Sequence, residues 1–147
     1  MAFYKYLKSH AERQPDSAAI IEGDCTVSYG ELCEQIESFA EALSELPLNT
    51  NSKVGLLCLN QKEHLIAMFG CLLKGVPFIP YNFLLKPEDL AFITQDAGID
   101  TLVVDSAFVK PETRPFFTFF TNKILVGPAN LDQVGEGTLR FEDFLKS

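Results

Sequence analysis

Tryptophan is missing from the 147 residues, and histidine and methionine occur only twice each. With only His10 and His64, and four cysteines (Cys25, Cys33, Cys58, Cys71) that never fall into C-x-x-C spacing, the chain lacks the ligand clustering of a structural metal site. Free thiols buried in strands or helices of a reducing compartment are the expected state of all four. No basic cluster stands against a net charge of −8, which excludes a phosphate-backbone partner such as nucleic acid. No long apolar run is present either: the longest, Leu65 to Leu73, is far too short to cross a bilayer. Near the N-terminus, Lys5, Lys8 and His10 interrupt Phe3, Tyr4, Tyr6 and Leu7, so the uninterrupted apolar core of a signal peptide is absent. These absences predict a soluble, cytoplasmic chain.

What is present is a globular composition, 47% apolar with 13 phenylalanines, in a length that suits one domain. The stretch from Lys53 to Asn82 organises it. Lys53 to Leu59 reads as a strand buried on both faces. Asn60 is placed to cap a helix, with Glu63 three residues on, and that helix runs through Leu65, Ile66, Met68, Phe69, Leu72 and Leu73 to stop at Gly75. Val76 to Pro80 then forms a second strand, so the unit is a parallel βαβ with a right-handed crossover.

Around this unit the remaining signals are local. Phe3, Leu7 and Ala11 give a first helix that Pro15 ends. Ala18–Glu22 and Cys25–Val27 read as a hairpin across Gly23 and Asp24. Ser28 and Glu31 form the S-x-x-E capping box of a helix with Leu32, Ile36, Phe39, Leu43 and Leu46 on one stripe, stopped by Pro47. Pro87 opens another helix, buried through Leu90, Ile93 and Ala97 and closed by Gly98; Thr101 to Val104 and Lys123 to Val126 are further strands. Pro111, Pro115 and the run Phe116, Phe117, Phe119, Phe120 suggest a short helix, and these four phenylalanines are the expected exposed apolar patch. Residues 127–147 read as an irregular tail, with a turn or two of helix at Phe141 to Leu145. The fold class predicted is α/β, three layers about a central, mainly parallel sheet.

No chemistry-bearing constellation emerges from spacing. Gly70 and Gly75 have the gap of a P-loop, but Val76 and Pro77 occupy the positions that need Lys and Ser or Thr. Gly135 and Gly137 make a lone G-x-G without a following helix. His10 and His64 lack a neighbouring nucleophile elbow. Asp96, Asp100 and Asp105 fall close in sequence, where a metal-binding receiver pocket competes with the favoured reading of solvated loop charges. No catalytic, ATP-binding or metal-ligating residue is assigned, and the substrate-binding residues remain unknown.

Serial blocks nonetheless resemble one family. Pro15 to Ile20, then Val27, Ser28, Tyr29, Gly30, Glu31, Leu32, then Gly75, Val76, Pro77, Phe78, Ile79, Pro80, Tyr81, Asn82 are similar to the opening of the adenylate-forming enzymes, which include acyl-CoA synthetases, peptide-synthetase adenylation domains and luciferases. The resemblance spans roughly residues 11–126, with a weaker echo at Phe141 to Leu145. It implies an N-terminal partial domain of a ligase that activates a carboxylate with ATP and passes the acyl group to a thiol such as coenzyme A. Asn82 and Phe83 resemble the acyl-CoA branch more than the amino-acid branch. ATP, magnesium and CoA are implied for the parent enzyme, not for this segment, because the family's phosphate-holding Ser/Thr/Gly loop, ribose-binding Asp and catalytic Lys have no counterpart among these residues. The implied partner is the remainder of the parent synthetase, with self-association as a second expectation. The alternatives are a stand-alone interaction module, one subunit of a split synthetase, or part of an amino-acid adenylation domain.

Overall fold

A strand whose side chains are apolar on both faces needs cover on both sides, and the arrangement of elements supplies it. In the computed structural model, which describes residues 2–146, the order is α1 (Ala2–Arg13), β1 (Ala18–Glu22), β2 (Cys25–Ser28), α2 (Tyr29–Glu45), β3 (Val54–Leu57), α3 (Lys62–Lys74), β4 (Phe78–Pro80), α4 (Pro87–Ala97), β5 (Thr101–Asp105), α5 (Arg114–Phe117), β6 (Asn122–Val126), β7 (Thr138–Arg140) and α6 (Phe141–Leu145). Five strands form one sheet in the order β4-β3-β5-β6-β7, every neighbouring pair parallel. β1 and β2 make a separate antiparallel hairpin.

Alternation along the strands divides the core in two. Val54 and Leu56 of β3, Val103 of β5, and Ile124 and Val126 of β6 face one side, where they meet Ile36, Phe39 and Leu43 of α2, Ile66 and Cys71 of α3, and Phe141 and Phe144 of α6. Leu57, Leu102, Val104 and Leu125 face the other, under Leu90 of α4 and Phe116 and Phe117 of α5. The layers are thus helix, sheet, helix, as the alternation of strand and helix signals predicts.

Local chemistry fixes several boundaries. The Glu31 N–H donates to Ser28 Oγ and the Ser28 N–H donates to Glu31 Oε2, each at 3.1 Å, which completes the capping box at the start of α2. Replacing Ser28 with Ala is expected to cost about 0.5–2 kcal/mol, because a helix N–H loses its acceptor. Chemical denaturation reads this directly: the midpoint falls, whereas an unchanged midpoint refutes a stabilising cap at Ser28. Gly75 and Gly98 end α3 and α4 in the left-handed region, with φ of 79° and 70°.

Other expectations are corrected. The N-cap of α3 is Gln61, not Asn60, which places Glu63 one position too early to answer it. On α1 the buried aromatic is Tyr4, whose hydroxyl donates to Glu37 Oε1 at 2.5 Å, while Phe3 is exposed. Glu37 also accepts from Lys8 Nζ at 2.6 Å; Lys8 first and Tyr4 second hold its carboxyl below the usual range. The second strand of the organising unit is shorter than read, starting at Phe78 because the backbone of Val76 is used in ending α3. Phe116, Phe117 and Phe120 are buried, leaving only Phe119 exposed, so the apolar patch expected there does not form. Residues 127–147 are not irregular throughout: β7 pairs with β6 through Lys123–Thr138, Ile124–Leu139 and Leu125–Arg140, and α6 buries Phe141 and Phe144. Of the four free cysteines, Cys33, Cys58 and Cys71 are buried, but Cys25 is exposed.

Candidate functional site at the carboxyl end of the sheet

The chain leaves β3 for β4 through α3 on one face of the sheet and returns to β5 through α4 on the other. That reversal makes the carboxyl ends of β3 and β5 a topological switch point, the place where open α/β sheets take ligands. The residues gathered there are Cys58 to Lys62 after β3, Tyr81 and Asn82 after β4, Asp105 at the end of β5 and Ser106 after it.

Most of their polar atoms are committed to holding the loops. Asp105 Oδ1 accepts from the Ala107 N–H at 2.7 Å. Ser106 Oγ donates to the Val126 carbonyl at 2.9 Å and accepts from the Ala129 N–H at 3.0 Å. Asn82 Oδ1 accepts from the Leu84 N–H at 3.0 Å. Tyr81 is buried against Phe116 and shares a 2.6 Å hydrogen bond with Thr94 Oγ1; burial pushes its hydroxyl up to about 12. At Cys58 burial raises the thiol far above its ordinary value, and at Cys71 to about 12, so neither carries the thiolate a nucleophile needs.

The first turn of α3 is the part of the switch point that could attract an anion, since free N–H groups and the helix dipole converge there. Here the chain supplies its own. Glu22, at the end of β1, accepts from the Lys62 N–H at 2.9 Å, and Lys62 Nζ approaches Cys25 Sγ of β2 at 3.7 Å. The hairpin is thereby fastened over the helix start. Beside it lies a groove of about 320 Å³ bordered by Ile20, Ile21, Gln61, His64, Leu65 and Met68. No signal in the sequence around Glu22 announces this role, which depends on a residue far along the chain.

The other residues weighed from the sequence are dispersed. His10 stacks on Tyr29 with ring centroids 5.5 Å apart, and His64 borders the groove near Gln61. Asp100 accepts from Ser52 Oγ at 2.7 Å at the amino end of β5, whereas Asp105 sits at the carboxyl end of that strand, so the two do not meet. Among the described residues no group of three His, Cys, Asp or Glu could hold a metal ion, and no helix is long and apolar enough to cross a membrane. Gly70 lies inside α3 against Phe39, far from any phosphate loop geometry.

Similarity to known proteins gives these observations a setting. A medium/long-chain-fatty-acid–CoA/3-oxocholest-4-en-26-oate–CoA ligase of Mycolicibacterium smegmatis is 32% identical over 114 residues, covering 73% of this chain and 21% of that protein. Bacitracin synthase 1 of Bacillus licheniformis is 28% identical over 102 residues, covering 69% of this chain and 2% of that protein. The crystal structure of coronafacic acid ligase from Pectobacterium brasiliense shares the fold with a TM-score of 0.87 at 16% identity, over 98% of this chain and 29% of that one. This chain therefore spans about a fifth of the length of the fatty-acid ligase it matches. The family described as "AMP-binding enzyme" matches residues 7–128, most of the sheet and both helical layers, and the chain belongs to that family.

Proposed function

We propose that these residues form the N-terminal scaffold of an ATP-dependent acyl-activating ligase, which converts a carboxylate and ATP to an acyl adenylate and then to a CoA thioester, and that this polypeptide alone does not adenylate. The family supplies the chemistry of the parent; one observation carries the statement about the segment. The carboxylate of Glu22 already occupies the start of α3, the place at the switch point best suited to phosphate, and two anions there would repel. The residues present do not fit ATP, and no catalytic step is assigned to them. ATP, magnesium and coenzyme A belong with the remainder of the parent synthetase, which is this segment's partner in a cytoplasmic enzyme.

Pyrophosphate exchange with a panel of fatty and aromatic acids tests the reading. The expected result is no exchange above a no-enzyme control for the polypeptide alone; turnover that survives repurification overturns it. Asn82 and Phe83, which follow the buried Tyr81, support the acyl-CoA branch, while the likeness to bacitracin synthase 1 supports an amino-acid adenylation domain as the second reading.

A further inference from the structure

At the opposite, amino end of the sheet lies a depression of about 560 Å³ whose lining includes Arg114, Thr118, Lys123, Gly135, Glu136 and Gly137. Lys123 is the exceptional member. It opens the pairing of β6 with β7, and although its side chain ends in a charge it is only 6% exposed. Its ammonium donates to the carbonyls of Phe117 and Phe120 at 3.5 and 3.4 Å, both long for charge-assisted bonds. Those contacts satisfy one carbonyl at the end of α5 and one in the turn after it but leave the positive charge poorly compensated, and a buried ammonium without an anion is costly. Burial and the nearby Arg114 both disfavour the charged form of Lys123, and only Glu136, exposed on the rim, favours it. The lone G-x-G at Gly135 and Gly137 closes this same depression. Both glycines have positive φ, 110° and 76°, which fixes the turn of the loop; Gly135 lies beside Lys123 Nζ, and a Cβ at Gly137 would strike the Thr121 carbonyl at 2.7 Å.

We propose that Lys123 and Arg114 form a phosphate-binding site beneath the Gly135–Gly137 loop, separate from the carboxyl end of the sheet. A phosphate carries between one and two negative charges at neutral pH, the Arg114 guanidinium keeps further N–H donors beside the one it gives to the Asp132 carbonyl, and Arg and Lys are the side chains best suited to phosphate. A carboxylate offers only one charge and is the weaker ligand.

Titration of the full chain with inorganic phosphate, followed by amide chemical shifts, tests this, with acetate and chloride at matched ionic strength as the other arms. Saturable shifts centred on Lys123 and on residues 135–137 are expected with phosphate and not with acetate or chloride. Lys123→Met and Arg114→Gln should each weaken phosphate binding by about tenfold or more, the loss of one charge-assisted bond. Arg114 is exposed, so Arg114→Gln keeps the test available if Lys123→Met does not fold. Shifts equal in acetate or chloride, no saturation by tens of millimolar phosphate, or unchanged affinity in Arg114→Gln each overturn the proposal.

Discussion

Phe39→Ala is expected to remove about 3–5 kcal/mol of stability, a large share of the roughly 5–15 kcal/mol of an ordinary domain at 25 °C. Phe39 is fully buried in the middle of α2, edge-on to Phe144 with centroids 5.1 Å apart and tilted against Phe141 at 5.8 Å. Its ring also fills the space left by Gly70 of α3, where a Cβ would come within 2.5 Å of it. Truncation therefore opens a cavity bounded by three helices, and the glycine side of that cavity has no side chain that could swing in. Thermal or urea denaturation gives the readout. A loss under about 1 kcal/mol would show that α2, α3 and α6 close over the gap and that the packing is softer than described.

Gly55→Ala carries the second large effect, through a single added carbon. In β3, an interior strand of the sheet, a Cβ at Gly55 would stand 2.4 Å from Tyr81 Cε2, 3.0 Å from the Tyr81 hydroxyl oxygen and 3.1 Å from Ile99 Cγ2. Alanine gains roughly 0.5–1 kcal/mol over glycine in a strand from chain entropy. Overpacking costs about 1–3 kcal/mol. Moving the ring also breaks the buried Tyr81–Thr94 bond, and an orphaned buried hydroxyl adds about 1–3 kcal/mol more. The steric terms win, so the net change is a loss. The check is equilibrium unfolding of Gly55→Ala beside Tyr81→Phe, which loses the hydroxyl but keeps the ring. Gly55→Ala should be the more damaging, and equal or greater stability of Gly55→Ala relative to the parent chain refutes the close approach.

How much the sequence discloses depends on the distance over which each signal acts. Ser28 with Glu31, Pro87 at a helix start, and Gly75 and Gly98 at helix ends are all decided within a turn of chain, and each stands where the residues place it. The parallel sheet is legible as well, because β3, β5 and β6 carry the apolar runs Val54–Leu57, Leu102–Val104 and Ile124–Val126. Asn60 misleads because the start of α3 is capped by Glu22, forty residues back in sequence. The helical spacing of Phe3, Leu7 and Ala11 does not disclose that Tyr4 is the aromatic that turns inward, because that follows from Glu37 on another helix. Thr138–Arg140 has no apolar pattern to mark it as a strand; it becomes one only by pairing with β6. The run from Phe116 to Phe120 suggests a short helix but carries phenylalanine on too many sides to show which are covered, and burial of Phe116, Phe117 and Phe120 depends on the sheet face beneath them. At the candidate sites the same rule is stricter. Lys123 reads as one more scattered cation until the fold closes over it.

The attachment of Glu22 to the start of α3 bears on how the molecule loosens. A two-stranded hairpin has little stability of its own in water, and β1 and β2 share no sheet with the other strands. Its persistence rests on α2 beneath it and on its ties to Lys62, chiefly the Glu22 carboxylate across a sequence separation of 40, with the weaker approach of Lys62 Nζ to Cys25. Release of the carboxylate loosens the hairpin's hold on α3 and bares the Lys62 amide in one motion. The amino-terminal hairpin and the first turn of α3 consequently belong to a single sub-global opening unit, while the buried strands β5 and β6 open only with the whole domain.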